Sequence, residues 1–353
     1  MAEMVQPDQA NGGREPPVAP ADDWRSNRGL TPPARQIAPR WLHYWAMLTA
    51  LLTVPLLFFG AEVTTKKVGM VDPVWPTSPT YLFTEPSAWE KGVGFLIEHG
   101  HRLAGWSVGF CVIVLAVGLW VWEPRRWVRW LGVAALLAVI NQGLLGGMRV
   151  RLNALMGTEL ALVHGCFGQL VFTLLVGLVL CTSKRWSRQD DVERATGDQA
   201  ALQGWSLLLT GLLVAQLILG AILRHKGWAL GQRGHVLMAF AVVAAIVWLA
   251  RLVIEGHGTE RNLVWCMRLL GVLMALQLML GVEAWFVRQA APISVAPGHW
   301  LWNRDLVRTA HVLVGSWLLA TSGVLTLEVW MKRRSANRNL VQFATDSVGP
   351  HSG

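Results

Sequence analysis

Gln142-Gly143-Leu144-Leu145-Gly146 closes a long apolar run, and the same Gln-x-x-Leu-Gly order returns at Gln216-Leu217-Ile218-Leu219-Gly220 and Gln277-Leu278-Met279-Leu280-Gly281. Runs of roughly 20 apolar residues cross about 30 Å of hydrocarbon. Eight can be drawn, near 41–61, 100–122, 127–147, 159–182, 204–223, 234–253, 264–286 and 307–331. The three motifs end the third, fifth and seventh. The first run keeps only Phe59-Gly60, but Gly60-Ala61-Glu62-Val63-Thr64 resembles Gly220-Ala221-Ile222-Leu223-Arg224 and pairs it with the fifth. Close packing of membrane helices accounts for the glycines alone. A buried amide needs partners, so the recurring glutamine favours duplication. The expectation is an all-α polytopic membrane protein whose eight transmembrane helices form two repeated four-helix bundles.

Composition agrees. The 353 residues are 53% hydrophobic and 15% charged, far more apolar than a soluble core of that size requires. A net charge of +9 would suit a nucleic-acid binder in a soluble protein, but here the basic residues cluster at the ends of the runs and mark topology. Arg35 and Arg40 precede the first run; Arg125, Arg126 and Arg129 follow the second. Lys184, Arg185 and Arg188 follow the fourth, and Lys332, Arg333 and Arg334 the eighth. Both termini are expected in the cytoplasm. Residues 1–40, proline-rich and polar without an apolar signal core, read as a disordered cytoplasmic tail. The N-terminal bundle then covers 41–185, a cytoplasmic linker 186–203, the C-terminal bundle 204–331 and a cytoplasmic tail 332–353. Cys111, Cys166, Cys181 and Cys266 lie within or at the edge of the runs, so no disulfide framework is expected.

His101, His164, His235 and His311 stand near the start of alternate runs, each followed four residues later by Gly105, Gly168, Ala239 or Gly315. An imidazole supplies an axial nitrogen to haem iron, and a small residue one turn on leaves a flat gap for a porphyrin face. A lone histidine in a membrane helix more often bonds a neighbouring helix. Four in register point to two haem sites. With the N-terminus inside, all four lie at shallow depth on the outer side; those of helices two and four can meet, as can those of six and eight. His43, His257 and His351 fall at the inner start of helix one, in an inner loop and in the tail. His99, His225 and His299 lie in or beside outer segments; His225, between Arg224 and Lys226, could touch a haem edge but reads rather as a solvated loop histidine, not a ligand.

Only the first repeat carries Glu98-His99-Gly100-His101-Arg102, with a carboxylate on the face of the proposed ligand; the matching place before His235 holds Gln232. A carboxylate beside a haem edge can move protons and marks the N-terminal haem as reactive. The alternative is an acid that caps the helix start. Arg102, Arg149, Arg151, Arg224, Arg233, Arg288, Arg304 and Arg308 run against the positive-inside tendency. Haem propionates or lipid phosphates are the anions they would meet. The first outer loop, about 62–97, is long enough to cover the reactive haem, while its Trp75 and Trp89 equally suit interfacial anchors.

Glu98-x-x-His101-Arg102, Gly69-Met70, Pro73-x-Trp75-Pro76, Gln142-Gly143-Leu144-Leu145-Gly146-Gly147 and Arg224-His225 together resemble the haem A synthase family over about residues 41–331. The resemblance implies a membrane oxidoreductase of the bacterial cytoplasmic membrane, its haem sites toward the outer face. It would oxidise the ring methyl of haem O to a formyl group, giving haem A for terminal oxidases. By the same resemblance His101 and His164 ligate the substrate haem, His235 and His311 ligate a haem b that passes electrons, and Glu98 assists the oxidation. Arg102 would hold a propionate, with Arg149, Arg151, Arg224, Arg233 and Arg308 as further candidates. The partners implied are haem O, membrane lipid, haem O synthase and an electron acceptor, with no nucleic acid. The sequence departs from some bacterial members in having no cysteine pair in the first outer loop. Val236 and Val312, not arginine, follow the second-half histidines. Competing readings are a two-haem cytochrome b that oxidises quinol and a haem carrier or assembly factor. Electron transfer alone gives no reason for a carboxylate in one half.

Overall fold

The computed structural model describes residues 38–71, 75–76, 86–184, 198–289 and 301–347. Eight long helices dominate: α1 Arg40–Thr65, α2 Val93–Trp122, α3 Arg126–Arg151, α4 Thr158–Thr182, α5 Gln199–His225, α6 Ala229–His257, α7 Arg261–Gln289 and α8 Leu301–Ser347. A 3-10 turn, Pro86–Lys91, and a single helical turn, Asn153–Met156, lie in the connections, and there is no strand among the described residues. All eight are long and apolar enough to cross a membrane, over spans of 25 to 30 residues, so the chain is a multi-pass membrane protein. Hydrocarbon offers backbone groups no partner, which leaves the helix as the local solution for such runs. Thr49 and Thr53 fit inside α1 by turning their hydroxyls back onto the carbonyls of Trp45 and Thr49, each at 2.8 Å.

Several boundaries differ from expectation. α1 runs on to Thr65 and α2 begins at Val93, a full two turns before the apolar run, because Glu98 and His99 are buried rather than left in a loop. α5 starts at Gln199, where the Asp198 side chain accepts from the amides of Ala200 and Ala201 at 2.9 and 3.0 Å, a helix cap that hydropathy does not register. α8 continues through residues 332–347, which were expected as tail. Residues 1–37 and 185–197 lie outside the described residues, as do His299 and His351.

Helix neighbours fall into two sets. α1 packs on α2 and α4, α2 on α3 and α3 on α4; α5 packs on α6 and α8, α6 on α7 and α7 on α8. Each set has its own apolar core, one around Leu42, Val112, Leu119 and Leu175, the other around Leu202, Leu209, Leu249 and Leu270. The sets touch through α4 against α8, α1 against α8 and α4 against α5. Exchanging α1–α4 for α5–α8 leaves that contact pattern unchanged, the arrangement a duplicated four-helix unit would give.

At the end opposite the four histidines, Glu123 is fully buried in the short α2–α3 connection. Arg125 donates to its carboxylate from Nε at 2.6 Å and Nη2 at 3.0 Å, and to the Cys181 carbonyl of α4 at 2.6 Å. Arg129 bonds the Glu123 carbonyl. His257 is part of helix α6 rather than of a loop, and its Nδ1 meets Glu260 at 2.9 Å in the matching α6–α7 connection. His43 Nδ1 lies 3.2 Å from the Val179 carbonyl, tying α1 to α4.

Candidate functional site

Each of the four histidines rests its ring on a glycine near the end of the preceding odd-numbered helix. A Cβ built on Gly60 would stand 2.9 Å from His101 Cε1, and one on Gly220 2.9 Å from His235 Cε1. On Gly146 and Gly281 it would stand 3.2 Å from His164 and His311. The glycines that end the repeated motif are therefore seats for imidazoles. At three of the seats the residue one turn before meets the glycine that follows the histidine. Gln142 Nε2 would lie 2.8 Å from a Cβ on Gly168, Gln277 Nε2 3.2 Å from one on Gly315, and Leu56 Cδ1 3.9 Å from one on Gly105. At Gly105, Gly168 and Gly315 the gap expected for a porphyrin face is met by a side chain of the neighbouring helix, and close helix packing is what keeps those positions small.

The rings meet in pairs, His101 with His164 and His235 with His311, each with ring centroids 6.2 Å apart. Two imidazoles bonded to one metal at about 2 Å from opposite sides place their centres about 6 Å apart, so either pair would have room for one metal ion between its rings. His101 Nδ1 lies 3.1 Å from the Leu56 carbonyl and His235 Nδ1 3.1 Å from the Gln216 carbonyl. A carbonyl only accepts, so Nδ1 carries the proton and Nε2 keeps its lone pair for a metal. Among the described residues no three His, Cys, Asp or Glu side chains gather as a metal site. A pair that offers two nitrogens suits an ion that arrives with its equatorial ligands in place, as haem iron does.

Glu98 belongs to the first pair alone. It is the sixth residue of α2, beyond the first turn, so it does not cap the helix. It is 4% exposed. Arg102 Nη2 donates to its Oε1 at 2.8 Å and the Val71 amide of the first loop donates to its Oε2 at 3.0 Å. The loop is held further by the end of α3. Arg149 Nη2 would stand 2.6 Å from a Cβ on Gly69, and Arg151 Nη2 donates to the Trp75 carbonyl at 2.9 Å. The Trp75 ring packs on Gly147, so it is a bracket on α3 and not only an interfacial anchor. Glu98 lies within electrostatic reach of Arg149.

The remaining arginines divide. Arg224 crosses to the first set of helices, its Nη2 donating to the Ala61 carbonyl at 2.9 Å and to Thr65 Oγ1 at 2.7 Å, with Arg308 close enough to act on it. Arg233 is exposed and Arg304 half-buried, and the Arg288 and Trp89 side chains lie outside the described residues. His225 is the last residue of α5, half-buried and within reach of Arg149, not a solvated loop residue. His99 is buried and stacked on Phe95 at 4.0 Å.

The sequence reading passed over Glu62. It is 7% exposed, accepts from Thr309 Oγ1 of α8 at 2.5 Å and pairs with Lys66 at 3.5 Å. Lys66 in turn reaches Asp305 at 2.9 Å. The hydrogen bond that Lys66 donates to Asp305 raises its pKa above the ordinary 10.5 against the opposing effect of burial, with the charges of both carboxylates adding to the rise. A carboxylate just past the apolar run was the available signal, since acids at membrane depth are rarely idle.

A family model described as "Cytochrome oxidase assembly protein" matches residues 43–233, more than half of the chain. Two bacterial proteins named "Heme A synthase", from Listeria monocytogenes serotype 4a and Listeria innocua serovar 6a, are each 24% identical to this chain over 270 residues. The match covers 69% of this chain and 85% of theirs.

Proposed function

The chain belongs to the cytochrome oxidase assembly protein family, and from that premise we propose that it is a haem A synthase. It oxidises the ring methyl of haem O to a formyl group in a bacterial cytoplasmic membrane, with both termini cytoplasmic and both haem sites toward the outer face. The observation that carries the reading is the asymmetry between two otherwise equal histidine pairs. Both have ring centroids 6.2 Å apart, but only the first has a buried carboxylate three residues before a ligand, oriented by Arg102 and by the Val71 amide.

His101 and His164 hold the iron of the substrate haem, and His235 and His311 hold a resident haem b. Haem b, when bound, supplies one-electron transfer. Glu98 Oε1 and Oε2 are fixed by charge-assisted hydrogen bonds, so the carboxylate is presented in one orientation and can take a proton at the substrate edge. Arg149 and Arg151 draw the first loop over the same helix ends, which limits water there. Arg102, Arg149, Arg151, Arg224, Arg233 and Arg308 are the propionate candidates. Haem O synthase and an electron acceptor are the proposed partners.

The test is to purify the pigmented protein from a host that makes haem O and to analyse the extracted haems. Haem O together with oxidised products supports the synthase. Haem b alone, even with haem O supplied, sinks it in favour of a two-haem cytochrome b. His235→Ala and His311→Ala should each abolish the stably bound b-type spectrum.

A further inference from the structure

The first histidine pair differs from the second by more than Glu98. Three residues past the seat glycines stand Val63, Arg149, Leu223 and Ala284. Arg149 follows Gly146, the seat of His164, and its counterpart in the second half is Ala284, just as the counterpart of Glu98 is Gln232. One half thus holds an acid and a guanidinium where the other holds neutral residues. Arg149 is half-buried near the end of α3, and its charge reaches His101, His164 and Glu98. Its Nη2 packs against Gly69, where a Cβ would stand 2.6 Å away. Neighbouring arginines are engaged: Arg102 donates to Glu98, Arg151 to the Trp75 carbonyl, and Arg224 to Ala61 and Thr65. Arg149 forms no hydrogen bond among the described residues. A guanidinium carries five N–H donors and stays charged, and a charge drawn out of water is costly without a partner. The fold carries that cost in one half only, beside the pair that has the carboxylate.

We propose that Arg149 binds a propionate of the haem held by His101 and His164, and thereby sets which edge of the ring faces Glu98. A carboxylate matches the guanidinium fork through two hydrogen bonds. Two axial nitrogens fix the iron but leave the ring free to turn about the axis through them, so a contact at the edge has to choose among the methyls. Haem carries both propionates on one edge, and the methyl that becomes the formyl group of haem A shares a pyrrole ring with one of them. An anchor for that propionate within reach of Glu98 brings this methyl, and not those of the far edge, toward the carboxylate. The inference rests on the synthase reading only for the identity of the methyl; the propionate contact stands on the place of Arg149.

The full-length protein is titrated with protohaem IX and with its dimethyl ester, which has the same ring and iron but no free carboxylate. Binding that His101→Ala with His164→Ala removes is binding at the first site. The preference there for the acid over the ester should fall by about 10-fold or more in Arg149→Leu and in Arg149→Gln, with ester affinity close to the parent's. Arg151→Leu, two residues on, should leave the preference as it is. A preference that survives both Arg149 substitutions overturns the proposal and gives the guanidinium to another anion, such as a lipid phosphate. Loss of ester binding together with acid binding in both variants also overturns it, because Arg149 would then hold the fold and not the propionate. Titration involves no turnover, so a chain that shows the shift but makes no haem A from haem O defeats the synthase reading alone. Haem A output with an unmoved preference defeats this one alone.

Discussion

The Thr309 hydroxyl donates to the Glu62 carboxylate at 2.5 Å, joining the two sets of helices beside both histidine pairs. Glu62 lies two residues past the seat of His101, and Thr309 two before His311. Arg224, four residues past the seat of His235, grips the same turn of α1 through the Ala61 carbonyl. The clasp thus draws on α1, α5 and α8. Hydrogen bonds to a charged group contribute about 1.5–3 kcal/mol. Glu62→Ala should cost stability of that order, read as a lower melting temperature in detergent, and Thr309→Val less. A melt unchanged by both would show the clasp to be idle.

Lys66 supplies the pH dependence of that clasp. Its pKa is raised above 10.5 by Asp305 and Glu62, so the contribution is complete below 10.5 and fades as pH rises through the higher folded value. The stability gap between parent and Lys66→Met should stay level from about pH 7 to 9 and close only in stronger alkali. A gap already closing near neutral pH would contradict the pairing.

The seat glycines rank themselves. At Gly60 and Gly220 an added methyl would stand 2.9 Å from the imidazole, and at Gly146 and Gly281 3.2 Å. Gly60→Ala should disturb binding at the first pair and Gly220→Ala at the second, each read as a shifted low-spin haem signal by electron paramagnetic resonance. Gly146→Ala and Gly281→Ala should give the weaker changes. The reverse order would mean that the rings are not seated as described.

Glu98→Gln keeps an acceptor for the Val71 amide but removes the charge that binds Arg102. Loss of a general acid or base costs typically 10²–10⁴-fold, so haem A output should fall by about that factor with haem content nearly unchanged. Output equal to the parent would leave Glu98 a structural anchor for the first loop.

Arg149 and Arg151 hold that loop from α3. Arg151→Ala should free the Trp75 carbonyl, and Arg149→Ala should loosen the backbone at Gly69. Amide hydrogen exchange over residues 66–71 should quicken in both variants, by contrast with α2. Unchanged exchange would place the loop's anchorage elsewhere.

The eight spans were legible because length and apolarity alone decide them in a membrane. The pairing of histidines followed from their register at the starts of alternate helices. The start of α2 was not legible. A hydropathy window stops at Glu98-His99, whereas in three dimensions both are buried and the helix simply continues. The small residues after the histidines showed that something needed room, but not that the Gln142 and Gln277 side chains would take it. Glu62 and Glu123 escaped for a related reason. Each is an acid at the edge of an apolar run whose partners come from distant parts of the chain or, as with Arg125, from a side chain that reads as a topology marker.

The clasp at Glu62 also bears on how the chain is made. The helices are synthesised in order, so α1 enters the membrane with its carboxylate in place long before Thr309 and Asp305 of α8 exist. Any product that stops short of the last helix leaves that carboxylate without its hydroxyl partner at the edge of the lipid. Completion of the polypeptide is thereby written into the assembled molecule, since only a chain carried through α8 closes the clasp.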